Sequence, residues 1–267
     1  MATKLITRTD NLSLIIAAVS PVTQSKLDTF VHFSDSEEKY RYNRRLFKIV
    51  APRYNQITRL LSFNRDKTWK RRMIRFLPNM QAPRIADLAC GTGDLTKLLH
   101  KRYPDASVMG IDITLDMLHL ARNSFYHPNL HYCAHDMSRL AFRSESVDII
   151  TGGYALRNAP SLPDTFREIS RVLKPGGLAL FLDFARPSNQ IHAQFHLALL
   201  EFWGSIWGII IHQNPHVYAY IARSLRHYPP RKELALMAEK EQLKLQKAES
   251  FFFGYVDILV FQKEVSK

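Results

Sequence analysis

The chain has 267 residues with a formal net charge of +13, and 46% of its residues are hydrophobic. This length can bury a sizeable core and favours one α/β domain with additions. The two cysteines, Cys90 and Cys133, exclude a disulfide framework, and no Cys or His spacing indicates a metal site. We therefore expect no bound metal and a reducing compartment.

Residues 1–38 are predicted to form a flexible tail, and residues 39–267 a single folded domain. The first 30 residues are polar, rich in Ser and Thr and weakly basic, with Asp10 among them. A disordered tail and a poor organelle-targeting peptide are both compatible with this composition, and we favour the tail.

Positive charge is concentrated in residues 39–76, which hold 13 Lys or Arg and one acidic residue, Asp66. Apolar residues recur there at helical spacing, and Pro52 is expected to end or kink the first helix. The segment is therefore interpreted as a basic helical cap, which could face membrane lipid, nucleic acid or only solvent. Because no recognised nucleic-acid-binding module is present, we expect no nucleic-acid partner and favour an anionic membrane surface.

The most informative stretch follows, an apolar strand at 84–89 that leads into a Gly91-Thr92-Gly93 turn and then a helical pattern. Glycines in such a turn let the backbone approach a nucleotide-like ligand without an intervening Cβ. A dinucleotide fingerprint would need a third small residue at position 96, where this chain has Thr96. S-adenosylmethionine (SAM) has no pyrophosphate to cradle, so the shorter turn suits it. An ordinary strand-to-helix turn is the competing interpretation.

Further apolar strands are predicted at 107–111, 130–134, 147–152 and 177–184, with helical patterns between them such as 114–124 and 163–173. This alternation predicts an α/β fold with a doubly wound, mostly parallel, Rossmann-like sheet, in which ligands bind beyond the carboxyl ends of the strands. Asp112 ends the second strand, where a carboxylate can accept hydrogen bonds from both ribose hydroxyls.

Residues 190–228 interrupt this rhythm with an aromatic, His-rich helical insertion. Its most apolar run, 197–211, is broken by Glu201 and is shorter than the ~18 apolar residues of a transmembrane helix. A helix near 231–242 and two strands, 243–249 and 255–263, complete a predicted seven-stranded sheet.

With these elements in order, the sequence resembles the C-methyltransferases of ubiquinone and menaquinone biosynthesis, a class I SAM-dependent family. The resemblance covers about residues 45–262. The matching segments are 47–54, 61–63, 69–70, 87–95 (DLACGTGDL), 154–158 (YALRN), 171–177 (RVLKPGG), 182–187 (LDFARP) and 218–226 (YAYIARSLR). The 171–177 turn is common to many class I methyltransferases, whereas 154–158 and 218–226 are more specific.

The sequence departs from the family mainly on the expected acceptor side. Asn55 and Asp183 stand where the family has aspartate and glutamate, and Ala185 replaces a serine. Residues 241–243 (EQL) replace an Ala-Gly-Phe, and residues 251–254 (FFFG) replace a smaller, glycine-rich turn. These changes leave SAM binding as expected and put the particular acceptor in doubt.

The resemblance implies methyl transfer from SAM to a ring carbon of a reduced quinone, either demethylmenaquinol or a ubiquinone-precursor benzoquinol. Two alternatives stay open: a related small-molecule methyltransferase of secondary metabolism, and a non-catalytic SAM-binding subunit of a quinone-synthesis complex. The implied partners are a lipid-tailed quinol, an anionic membrane surface and a homodimer or quinone-synthesis complex. The expected location is the cytoplasm, peripheral to a membrane, or an organelle matrix in a eukaryote.

The resemblance also assigns candidate site residues. Those expected to bind the cofactor are Asp87, Gly91, Thr92 and Gly93 around the glycine turn, Asp112 with Ile113 at the ribose, and Asp136 with Met137 at the adenine. The candidate catalytic residues are Arg157, Asn158 and Tyr54, and the candidate substrate contacts are Tyr154, Tyr220 and Ser224. Histidine is a common base near neutral pH, but His227 belongs to no matching motif. The insertion could line a passage for an isoprenoid tail or contact a membrane with Phe202, Trp203, Ile206, Trp207 and Ile210, although we favour core packing or a dimer face for these residues.

Overall fold

The computed structural model describes residues 35–265, so the greater part of the predicted tail lies outside the described residues. The first described helix already begins at Ser36, three residues before the predicted domain boundary. Asp35 caps this helix, because its Oδ1 accepts hydrogen bonds from the backbone N–H groups of Glu37 and Glu38 at 2.8 and 3.0 Å.

Helices and strands alternate along most of the described chain. The helices are α1 (Ser36–Val50), α2 (Tyr54–Leu61), α3 (Asp66–Ile74), α4 (Asp94–Arg102), α5 (Leu115–Ser124), α6 (Leu162–Val172), α7 (Gln190–His212), α8 (His216–Arg226) and α9 (Arg231–Lys240). The strands are β1 (Arg84–Leu88), β2 (Ser107–Asp112), β3 (Leu130–Ala134), β4 (Val147–Gly153), β5 (Leu173–Phe184), β6 (Leu243–Phe251) and β7 (Val256–Lys263). Short 3₁₀ turns occupy Ala51–Arg53, Leu156–Asn158 and Phe252–Gly254.

The strands form one seven-stranded sheet in the order β3-β2-β1-β4-β5-β7-β6. All neighbouring strands are parallel except β7, which runs antiparallel to both β5 and β6. Strands β1, β2 and β4 are apolar on both faces because helices cover both sides of a parallel sheet. The predicted doubly wound, mostly parallel seven-stranded α/β fold is confirmed.

Apolar side chains on the two faces of the sheet form two separate cores. Phe166, Phe181 and Phe261 belong to one, and Met73 and Leu99 to the other. A third cluster lies away from the sheet, where the buried faces of α1 and α2 pack against α8. The predicted helical cap is therefore attached through its apolar side, and most of its cations are left at the surface.

The predicted insertion forms the antiparallel pair α7 and α8. A Cβ on Gly204 would lie 2.8 Å from the Tyr218 backbone, and one on Gly208 would lie 2.5 Å from the Asn214 carbonyl, so only glycine permits this approach. Helix α7 is long and apolar enough to cross a membrane by length and composition, although only 22% of its most apolar window is buried. The sequence still has no uninterrupted run of ~18 apolar residues, and this helix, which includes Glu201, meets the criterion through its average hydropathy.

Candidate active site

Two adjoining cavities lie beyond the carboxyl ends of the parallel strands, where this fold class binds ligands. We call the first the glycine-loop cavity, which is lined by Asn43, Phe47, Tyr54, Ala89, Gly91, Ile111, Asp112, Ile113, Met117, His135, Asp136, Met137, Gly153, Tyr154, Asn158 and Pro160. The second, the aromatic cavity, is lined by Leu46, Phe47, Val50, Tyr54, Ile57, Thr58, Leu61, Ser62, Tyr154, Arg157, Asn158, Phe184, Val217, Tyr218, Tyr220 and Ile221. Four of these residues line both cavities, so ligands in the two would be neighbours.

The glycine-loop cavity takes its shape from residues without side chains. Gly91 has φ +54°, in the left-handed region that favours glycine, and a Cβ there would lie 3.6 Å from the ring of Tyr54. Gly153 lies opposite, at the end of β4. A side chain at Gly91 would fill space between the loop and α2, whereas a Cβ on Gly153 would lie 3.7 Å from Cε of Lys70 on α3 and 3.8 Å from Leu95 on α4.

Asp112 holds the loop in position from the end of β2. Its Oδ2 accepts from the Gly91 N–H at 2.9 Å, and its Oδ1 accepts from the Thr114 N–H at 2.8 Å. Burial raises the pKa of this carboxyl, and the two backbone N–H groups oppose that rise. Each oxygen retains a second lone pair, which can accept a hydrogen bond from a ribose hydroxyl.

Of the predicted cofactor contacts, Gly91, Asp112, Ile113, Asp136 and Met137 line the glycine-loop cavity, whereas Asp87, Thr92 and Gly93 do not. The Thr92 hydroxyl donates to Asn55 Oδ1 at 2.6 Å, which ties the loop to α2. Gly93 starts α4 with φ +78°, and a Cβ there would lie 3.1 Å from Ala121. Thr92 and Gly93 therefore support the shape of the loop and do not line the cavity.

Asp87 is fully buried at the end of β1, beneath the loop. Its carboxylate accepts from the hydroxyls of Thr96 and Thr151 at 2.7 and 2.8 Å. Burial raises its pKa to about 6, and the two threonine hydrogen bonds oppose this rise only in part. Asp87 therefore links β1, β4 and α4 beneath the loop.

This buried carboxyl predicts a pH-dependent stability. Between pH ~4 and 6 the native state holds a proton on Asp87 that the unfolded state has released, so the free energy of unfolding falls as pH rises through this window. Above the folded-state pKa of Asp87 the decrease in the free energy of unfolding reaches roughly 3 kcal/mol, and below the unfolded-state pKa there is no decrease. Asp87→Asn removes the titration, and urea unfolding of the unliganded protein should lose that part of the pH dependence. An unchanged pH profile in Asp87→Asn, or an equal change in the exposed control Asp105→Asn, would contradict this assignment.

The aromatic cavity contains one buried cation, Arg157, in the 3₁₀ turn after β4. Its NH1 donates to Ser224 Oγ at 2.5 Å, and its backbone N–H donates to Asp183 Oδ2 at 3.0 Å. Nε lies 3.7 Å from Asp183 Oδ1, too far for a hydrogen bond. The guanidinium carbon lies 5.7 Å from the ring centroid of Phe184 and 5.5 Å from that of Tyr220, which is cation–π geometry.

Arg157 is held in position by Ser224, one of the predicted substrate contacts. Ser224 does not line the aromatic cavity, and its hydroxyl lies 2.9 Å from the Tyr220 carbonyl one helical turn earlier on α8. Ser224 is therefore placed behind the guanidinium, where it fixes one of the two NH₂ groups.

A second set of hydrogen bonds joins α1 and α8 to the 3₁₀ turn. The Tyr220 hydroxyl lies 2.6 Å from the amide oxygens of both Asn43 and Asn158. Asn43 Nδ2 donates to the Asn158 carbonyl, and Asn158 Nδ2 donates to the Tyr154 carbonyl, each at 2.8 Å. Because both amide groups donate to backbone carbonyls, their oxygens are oriented toward Tyr220.

Two buried donors of the aromatic cavity lack a hydrogen-bond partner among the described residues, the Tyr154 hydroxyl and Nε of Arg157. Leaving such a group unsatisfied costs about 1–3 kcal/mol, which a ligand oxygen would recover. Burial raises the pKa of Tyr54 to about 12 and also raises the pKa of Tyr154 well above its usual value. Both tyrosines therefore keep their protons at neutral pH and can act as donors but not as bases.

Sequence reasoning missed Asn43, Phe47 and His135, which also line these cavities. Asn43 could have been found, because it is a polar residue on the helix face that buries Leu46 and Val50. Phe47 belongs to a matching segment but was not assigned a role. His135 precedes Asp136, and its buried Nδ1 has no hydrogen-bond partner among residues 35–265.

The residues of the insertion and the candidate base His227 can be compared with the lining of the two cavities. Five insertion residues were expected to line a passage for the tail, and they line neither cavity. The residues of this insertion that line the aromatic cavity belong to α8 and not to α7. Within residues 35–265, no group of three or more His, Cys, Asp or Glu could hold a metal ion. His227 also lines neither cavity.

Comparison with known proteins identifies the family. The sequence profile of the ubiE/COQ5 methyltransferase family matches residues 34–263, which is most of the chain and includes every element lining the two cavities. The chain belongs to the ubiE/COQ5 methyltransferase family. It is similar to the demethylmenaquinone methyltransferase of Staphylococcus aureus strain JH9, with 27% identity over 233 residues, or 86% of this chain and 97% of that protein.

Solved structures agree on the fold. A chain from the complex of the Haloferax volcanii Trm112 methyltransferase activator with a methyltransferase has a TM-score of 0.61 and 16% identity, covering 82% of this chain and 97% of its own. A SAM-dependent methyltransferase from Mesorhizobium loti has a TM-score of 0.54 and 16% identity, covering 72% and 95%. At these identities the likeness supports the class I methyltransferase fold alone.

The enzyme is thus a SAM-dependent methyltransferase, and its glycine-loop cavity fits that cofactor. Gly91 leaves room beside the loop, Asp112 can accept from the ribose hydroxyls, and Asp136 can accept from the exocyclic amine of adenine. The unpartnered Nδ1 of His135 offers a further contact at the same end. The assignment of individual residues to parts of SAM stays a prediction.

Proposed function

We propose that this methyltransferase transfers a methyl group from SAM to a ring carbon of a reduced quinone. The observation that carries the proposal is the aromatic cavity beside the glycine-loop cavity, in which the Tyr154 hydroxyl and Arg157 Nε are buried donors without partners. A flat ring with oxygen substituents suits such a cavity. The name of the S. aureus relative supports a quinol acceptor. The acceptor is a naphthoquinol such as demethylmenaquinol or a ubiquinone-precursor benzoquinol.

The proposed reaction requires the reduced form of the acceptor. A ring carbon becomes nucleophilic as the neighbouring hydroxyl loses its proton, whereas an oxidised quinone is itself an electrophile. The bound cofactor supplies an electrophilic methyl group. Methyl transfer would form a bond from the ring carbon to the methyl carbon as the S–CH₃ bond breaks with its electron pair left on sulfur. The ring would then regain aromaticity as its C–H proton leaves to water and the phenolate oxygen takes up a proton, so that one proton is released overall.

Arg157 has the central role in this proposal. An arginine stays protonated in proteins, so it stabilises the developing phenolate oxygen rather than accepting the proton itself. Its effect is strong because the guanidinium is buried and held by Ser224, while Asp183 holds the backbone N–H of the same residue, before the reaction begins. Tyr54 and Asn158 line both cavities and orient the ring oxygens toward it.

The test is a turnover assay followed by mass spectrometry. Purified protein and SAM are incubated with a panel of chemically reduced, unmethylated naphthoquinols and benzoquinols, each also supplied in oxidised form. We expect one ring class to gain the mass of one methyl group in the reduced series only. Binding of SAM without a product from any quinol would contradict the proposal and favour a non-catalytic subunit or a different small-molecule acceptor.

A further inference from the structure

An exposed aromatic surface lies on the side of the protein where α7 meets two turns. This aromatic patch comprises the exposed rings of Phe63 in the α2–α3 turn, Phe195 and Phe202 on α7, and Phe252 and Phe253 in the turn before β7, together with the half-buried Trp203 on α7. The ring of Phe63 stacks on Trp203 at 5.6 Å and lies 6.2 Å from Phe252, so the three segments are continuous. Monomeric soluble proteins seldom expose a joined apolar surface of this kind without a partner.

The two turns hold their phenylalanines in an unfavourable backbone conformation. Phe63, Phe252 and Phe253 have φ of 49°, 48° and 57°, a region that bulky side chains rarely adopt. Phe253 is also 95% exposed and gains no packing that would offset this strain. Strained residues that are not needed for the core cluster at sites of function. The Phe252–Phe253 turn is also where this sequence departs from its family.

Helix α7 presents its apolar side chains to solvent along one stripe. Phe195, Leu199, Phe202 and Ile209 recur at helical spacing and are each roughly half or more exposed. The opposite face is fixed to α8 through Gly204 and Gly208. A helix anchored along its length in this way is suited to lie in the plane of a bilayer surface rather than to cross it.

Cations border the patch. Arg59 near the end of α2 and Arg65 in the α2–α3 turn flank Phe63 along the chain, the Asn64 N–H donates to the Arg59 carbonyl, and Lys67 follows on α3. All three cationic side chains are exposed. A second copy of this chain docked through the same patch would bring two copies of this basic border into one interface, because a two-fold interface uses the same surface on both subunits. An anionic bilayer instead complements both the apolar and the basic parts.

The patch also adjoins the aromatic cavity. Leu61 and Ser62 line that cavity, and Phe63 is the next residue in the chain. We propose that the aromatic patch, with its border of Arg59, Arg65 and Lys67, inserts into the interface of an anionic lipid bilayer and turns the aromatic cavity toward the membrane. This inference deepens the proposed function and rests on it, because the lipid-tailed acceptor is part of that proposal.

The chain carries its own fluorescent reporter for the test. Its three tryptophans are Trp203 in the patch, Trp207 in contact with Trp203, and Trp69 in contact with Phe252. Titration with phosphatidylcholine–phosphatidylglycerol vesicles should shift their emission to the blue, and brominated lipids should quench it. Phe202→Ser/Phe253→Ser should weaken vesicle binding by at least about 10-fold, because serine lacks the favourable free energy that each phenylalanine ring gains on moving from water into the bilayer interface.

Matched controls separate the two components of binding. Tyr126 is 75% exposed on the loop after α5, away from the patch, so Tyr126→Ser should bind vesicles like the unmodified protein. Arg65→Glu/Lys67→Glu should weaken binding to anionic vesicles, whereas Lys101→Glu on α4 should weaken it much less. Higher salt should reduce binding through the cationic part. No binding to anionic vesicles, or equal binding by Phe202→Ser/Phe253→Ser, would overturn the proposal.

The remaining outcomes are also decisive. A dimer in solution that Phe202→Ser/Phe253→Ser converts to a monomer would assign the patch to a second copy and overturn the lipid assignment. Vesicle binding is measured without any acceptor, so it can succeed even if no quinol is methylated. Conversely, Phe202→Ser/Phe253→Ser should retain turnover with a water-soluble, short-tailed acceptor if the proposed function is correct.

Discussion

Replacing Arg157 with alanine is expected to lower kcat for quinol methylation by about 10²- to 10³-fold while the Kd for SAM changes little. The guanidinium lines the aromatic cavity and not the glycine-loop cavity, so its loss removes stabilisation of the developing phenolate without touching the cofactor. Single-turnover kinetics with saturating SAM would measure the effect directly.

Two further variants distinguish this role from a structural one. Arg157→Lys keeps the charge but lacks the planar fork that reaches Ser224, so it should recover only a small part of the rate. Arg167→Ala removes an exposed arginine from α6 and should leave kcat unchanged. A fall in kcat that merely followed a loss of thermal stability in Arg157→Ala would contradict the catalytic assignment.

Asp112→Asn is expected to raise the Kd for SAM by about 10- to 100-fold. Each carboxylate oxygen accepts from a backbone N–H, one from Gly91 and the other from Thr114. An asparagine in either orientation would direct its NH₂ group at one of these donors, which disturbs the loop and removes an acceptor for the ribose. Isothermal titration calorimetry would measure the change.

Asp116→Asn is the matched control for this prediction, because Asp116 lies nearby on α5 and is exposed. It should bind SAM with the affinity of the unmodified protein. SAM affinity in Asp112→Asn within a factor of two of the unmodified protein would show that the carboxylate does not contact the cofactor.

The sheet could be predicted because buried parallel strands are nearly continuous apolar runs. The one substantial difference is β5, predicted to begin at 177 and found to begin at Leu173. Residues 174–177, with Pro175 and two glycines, have the composition of a turn. In the structure Leu173 pairs with Val147 and Leu178 with Ile149, so this stretch is a bulge within the strand.

The candidate site was only partly predictable. Gly91 and Asp112 follow strands whose ends are visible in the sequence, so their common location could be inferred. Asn43 lies more than a hundred residues from Asn158, and their hydrogen bond depends on how α1 packs over the sheet. Ser224 belongs to a recognisable segment, but only the packing of α8 shows that it contacts Arg157 rather than the cavity.

The shared roof of the two cavities has a consequence for ligand binding. Phe47 on α1 and Tyr54 on α2 line both cavities. Asn43 and Asn55 on the same two helices are hydrogen-bonded to Asn158 and Thr92 in the turns after β4 and β1. If binding of the first ligand orders α1 and α2, the unfavourable free energy of that ordering lowers the affinity of the first ligand only. The second ligand then binds to helices that are already ordered, so its affinity is higher by the same free energy. The two substrates are in this way thermodynamically coupled without contact between their binding groups.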